Sequence, residues 1–126
     1  MKKSFIIQVP LDEKLTVKLK INVYADRQSY IAGTNDPDSL GLCQRYWVEN
    51  DEGDKILHMR QVSTISLIEG HLGAGIVSHE AAHATVHIWG LMSNKKLTDK
   101  NDEPFAWILG DITRKIYNGL YRTKIL

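Results

Sequence analysis

Apolar and polar side chains alternate most regularly near the N-terminus. In residues 15–24, Leu15, Val17, Leu19, Ile21 and Val23 alternate with Thr16, Lys18, Lys20, Asn22 and Tyr24. That period of two predicts a strand with one buried face and one wet face. Residues 4–9 carry the same signal through Phe5, Ile7 and Val9, and residues 10–14 join the two strands as a hairpin. Residues 33–41, with Gly33, Asn35, Pro37 and Gly41, read as a loop. Segments 42–48 and 55–60 predict a second hairpin around the polar residues 50–54, with Tyr46 and Trp47 as cross-strand packing. A further strand is expected over 64–69, from Thr64 to Glu69, leading through His71, Leu72 and Gly73 into a change of period.

From there the apolar spacing becomes helical. Val77, Ala81, Ala84, Ile88 and Leu91 form one stripe, with Gly73 and Gly75 before it and Gly90 as the expected stop. Pro104 opens a second helix whose stripe is Phe105, Ile108, Leu109, Ile112, Ile116 and Leu120. Between them, residues 93–101 are polar and basic, with Lys95, Lys96 and Lys100, and read as a solvated loop or a substrate-facing lid. Strands first and helices last predict an α+β fold: a largely antiparallel, twisted sheet followed by two packed helices.

Composition narrows this picture without changing it. A chain of 126 residues, 43% hydrophobic and 25% charged, suits one globular domain over 1–126. The net charge of +1 gives no electrostatic case for nucleic acid or an anionic membrane. Cys43 is the single cysteine, which rules out an internal disulfide and fits a reducing cytoplasm. The apolar run at Phe5, Ile6 and Ile7 is broken by Gln8, Pro10, Asp12 and Glu13, which argues against a signal peptide. Apolar stretches also fall short of the roughly twenty residues that a membrane span needs.

The chemistry is concentrated in His79-Glu80-Ala81-Ala82-His83. On a helix, positions i and i+4 lie one above the other, so His79 and His83 can aim two imidazoles at one divalent ion. Glu80 stands about 100° round the same helix, within reach of a water on that ion. Imidazole ligands favour zinc over the hard ions magnesium and calcium. The plain alternative is a helix that carries two histidines by accident. A hydrolytic zinc site normally takes a third protein ligand. His87 lies eight residues from His79, a rise of about 12 Å, too far for all three rings to meet. Trp89 and Val86 occupy the places where a three-histidine pattern needs histidine and glycine. Acidic residues downstream remain: Asp99, Asp102 and Glu103, of which Asp102 and Glu103 also suit capping of the next helix.

Glu103, twenty residues after His83 in Asn101-Asp102-Glu103-Pro104-Phe105-Ala106-Trp107, gives the chain its resemblance to the gluzincin, thermolysin-like zinc metallopeptidases. Over roughly residues 64–117 it also resembles small phage and prophage proteins with the same H-E-x-x-H. The resemblance implies a zincin-like fold with the metal site between the two helices, His79, His83 and Glu103 as ligands to one zinc ion, and Glu80 as general base. It further implies a peptide or protein substrate lying along an edge strand near 64–69, although the sequence equally allows an ordinary interior strand there, and a cytoplasmic location in a bacterial host if the protein is phage-encoded. Trp107 stands where that group has an aspartate supporting a ligand, and no histidine follows His87 to stabilise an oxyanion. Asp111 is a candidate support for a ligand histidine, and Arg114, Tyr117, Tyr121, Tyr24 and Tyr30 are candidate oxyanion donors. The alternative function is a non-catalytic phage-type protein that uses the same scaffold to block a host factor.

Overall fold

A computed structural model describes residues 2–11, 16–45, 48–49, 55–56, 61–92 and 102–126. The elements run β1 (Lys2–Pro10), β2 (Thr16–Tyr24), α1 (Arg27–Thr34), β3 (Gly41–Arg45), β4 (Val48–Glu49), β5 (Lys55–Ile56), β6 (Gln61–Ile68), α2 (Ala74–Met92) and α3 (Asp102–Arg122). The expected α+β class holds. Leu15, Tyr46, Trp47, the two hairpin turns and the polar stretch 93–101 lie outside the described residues.

Four strands form one sheet in the order β1-β2-β6-β3, and β4 pairs with β5 separately. β1 and β2 pair antiparallel along their whole length, from Lys2 opposite Tyr24 to Pro10 opposite Thr16. The sheet is mixed, however, because β6 runs parallel to β2 while β3 runs antiparallel to β6. Two sequence expectations are corrected here. The strand over 64–69 is not an edge: β6 has β2 on one side and β3 on the other, and β3 is the outermost strand among the described residues. Residues 41–45 likewise belong to the main sheet and not to the second hairpin. Such pairing joins residues far apart in sequence, so local alternation does not report it.

α2 and α3 cover one face of the sheet. Val77, Ala81, Ala84 and Ile88 meet Ile108, Ile112, Ile116 and Leu120 over Val17, Leu19, Ile21, Val23, Ile65 and Leu67. α2 continues past Gly90 to Met92, since the space around Gly90 is open and its backbone has no need to leave the helix. The far face is not wholly wet. α1 packs there, and Tyr24, Tyr30 and Ile68 form a second small cluster. α1 was hidden in the sequence because its apolar stripe is short. It is started by an Asp26–Ser29 capping box and ended by Asn35 in the left-handed region, whose N–H donates to the Ile31 carbonyl. No described helix is long and apolar enough to cross a membrane.

Candidate metal centre

β6 hands the chain to α2 through a tight turn in which Gly70 takes φ +87°, a conformation that glycine adopts without strain. The His71 N–H donates to the Ile68 carbonyl, and Ile76 and Val77 donate to Gly73. The buried stripe of α2 then fixes its rotation, and that rotation sets the neighbouring face. His79 and His83 are exposed, and Glu80 between them is only 4% exposed.

The two imidazoles stand edge to face, with centroids 4.8 Å apart, and their Nε2 atoms are 3.2 Å apart. Zinc–nitrogen bonds of 2.0–2.1 Å at a tetrahedral angle put two ring nitrogens about 3.3 Å apart. The pair thus has the spacing of one edge of a zinc tetrahedron. Ligand atoms of His79, Glu80 and His83 all lie within 4.8 Å of one another, the one such group among the described residues. Glu80 Oε2 is buried with no hydrogen-bond partner, an arrangement that a polar occupant of the site would relieve. These donors fit zinc.

Burial pushes the Glu80 carboxyl above its usual range, the two histidines oppose that shift, and Asp36 adds to it. Asp36 belongs to the loop before β3, which the sequence presented only as a turn. Asp36 Oδ2 accepts from the Tyr30 hydroxyl at 2.9 Å and from Ser39 Oγ, and Oδ1 accepts from the Asp38 and Ser39 N–H groups. These bonds, from Ser39 and Tyr30 foremost, hold Asp36 ionised. The Asp-Pro-Asp-Ser run was the available signal, because aspartate readily bonds the backbone two and three residues on. Further along α2, His87 Nδ1 lies 2.5 Å from Ser63 Oγ and 4.0 Å from Cys43 Sγ. Burial, then Arg45 and His83, lowers the proton affinity of His87, and burial pushes the Cys43 thiol up to about 12.

The residues expected on α3 are placed elsewhere. Glu103 is exposed in the first turn of α3 and is not among the ligand atoms gathered at the histidines. It lies nine residues, two and a half helical turns, before Ile112, so docking the apolar stripe turns it toward solvent. Asp111 pairs with Arg114 at 2.7 Å and with Lys115 at 2.9 Å, and Lys115 also donates to the Gln8 carbonyl of β1. Neither Asp111 nor Arg114 supports a ligand histidine in this arrangement. The Tyr117 hydroxyl donates to the Leu72 carbonyl, and the Tyr121 side chain is 63% exposed. The clustered group lies on α2 alone, with Gly41 of β3 close to Glu80. Burial foremost raises the Tyr30 pKa, with a small contribution from Glu80. Comparison of the chain with protein-family models, curated proteins and solved structures gives no match.

Proposed function

We propose that this chain is a small zinc-dependent hydrolase acting on a peptide bond, with His79 and His83 as metal ligands and without the Glu103 ligand of the gluzincin pattern. The observation that carries this reading is the 3.2 Å Nε2 pair beside a buried carboxylate oxygen that has no partner. When bound, the ion supplies Lewis acidity, lowering the pKa of a water toward neutrality and polarising a carbonyl.

The protein's own contribution is proton handling and orientation. Glu80 Oε2 accepts the proton of the attacking water and returns it to the leaving amine nitrogen. Burial suits it to both steps, since its raised proton affinity brings it closer to neutral pH than a solvated glutamate. Burial is the main cause of that raised affinity, and the ionised Asp36 adds a small contribution. β3 is the outermost strand of the sheet among the described residues and packs beside α2, so an extended peptide is proposed to lie along it. The substrate strand expected near 64–69 is thus reassigned to Gly41–Arg45.

The test is hydrolysis of a fluorogenic peptide pool by zinc-loaded protein and by Glu80→Gln. That substitution should keep zinc while turnover falls by roughly two orders of magnitude or more. The non-catalytic reading is favoured by one observation, the solvent-facing position of Glu103. It takes the lead if Glu80→Gln leaves the protein's biological effect intact.

A further inference from the structure

We infer that Gly41 is a positioning residue for Glu80, its missing side chain being what lets the carboxylate sit where the proposed hydrolysis needs it. The inference rests on the hydrolytic reading above. A methyl group at position 41 would lie 3.2 Å from Glu80 Cγ, 3.3 Å from Ile76 Cγ2 and 3.5 Å from Glu80 Cδ. Backbone conformation does not call for glycine there, because Gly70 is the glycine with positive φ among the described residues. Gly73, Gly75, Gly90 and Gly110 have open space where a side chain would go, so close approach sets Gly41 apart from them.

Neither partner can retreat easily. The Gly41 carbonyl accepts from Ser39 Oγ at 3.0 Å, and Ser39 is tied to Asp36, which is tied to the fully buried Tyr30. Arg27 braces the same loop through the Ser39 and Pro37 carbonyls. On the other side, Val77, Ala81 and Ala84 are fully buried and hold the α2 backbone. A side chain at 41 therefore displaces the Glu80 side chain by a few tenths of an ångström and leaves the histidine rings in place. A misplaced base weakens the transition state more than substrate binding, so the loss belongs in kcat.

The experiment is a double-substitution cycle on the full chain. Alanine normally suits a strand better than glycine, so without a clash Gly41→Ala would raise Tm. We expect it instead to lower the Tm of metal-free protein by about 3 °C or more. The loss should persist in a Glu80→Gln background, which keeps Cγ, and shrink with Glu80→Ala, which removes it and leaves only the Ile76 contact. Zinc affinity of Gly41→Ala should stay within about threefold of wild type, while kcat on the fluorogenic peptide pool falls about tenfold at nearly constant KM. Tm losses that are additive with Glu80→Ala, or a fall in kcat/KM carried by KM alone, overturn the role of Gly41 even in a protein that takes up zinc and cleaves peptide. A wild-type protein that takes up no zinc overturns the hydrolytic reading, and the catalytic role of Gly41 with it.

Discussion

At the scale of single residues, one half-buried and one buried ionisable group make independent predictions. Cys43 sits beside Ser63 and His87, yet it is no activated thiol, because burial pushes its pKa up to about 12. Alkylation by iodoacetamide at pH 8 should be at least about a hundredfold slower than for an exposed cysteine. Reaction at the ordinary rate would mean that Cys43 is not packed as described. Asp111 is 8% exposed, and burial alone would raise its pKa, but Lys115 and Arg114 outweigh burial and hold it below 3.8. Asp111→Asn should cost about 1–3 kcal/mol at pH 7. A depressed folded pKa contributes stability above the unfolded value near 3.8, lost as pH falls through the folded one. The gap between wild type and variant should accordingly narrow below about pH 4 in chemical-denaturation series. A gap independent of pH would remove the charge pairing from the account.

Among the elements, those that bury a single regular stripe were legible in the sequence. Val17 to Val23 announced β2, and Ile108, Ile112, Ile116 and Leu120 announced α3. Long-range pairing and short polar elements were not. Nothing local to residues 41–45 says that they pair with 63–67, and α1 announces itself only through the Asp26–Ser29 cap. The site follows the same division. His79, Glu80 and His83 were readable because one helix supplies all three. Asp36 and Gly41 were not, since the loop before β3 and β3 itself bring them there, and Tyr30 was only one of several candidate donors. Glu103 marks where a family pattern and a helix face part company. Facing solvent, Glu103→Ala should change zinc affinity by less than about threefold, whereas loss of a ligand costs far more. A drop of tenfold or more in a metal-competition titration would restore Glu103 as the third ligand. α3 also packs against β1 through Gly119, where a methyl group would collide with the Phe5 ring. Gly119→Ala should destabilise the fold by about 1–3 kcal/mol in urea unfolding.

Over the whole molecule, the sheet works as a frame whose two outer strands face different fates. β1 packs against α3, with Lys115 donating to the Gln8 carbonyl, while β3, the outermost strand on the other side among the described residues, packs against α2 next to Glu80. The proposed peptide path and the proposed metal centre thus share one side of the molecule, and α1 with its loop braces that side from behind. A metal that binds the folded chain alone stabilises it by mass action. The measurement that tests this account most directly is zinc stoichiometry, with the accompanying Tm, for wild type, His79→Ala and His83→Ala. The account predicts about one ion per wild-type chain and a Tm that rises with added zinc, with both effects lost in each variant. Absence of zinc uptake by the wild type, or undiminished uptake by both variants, would contradict it.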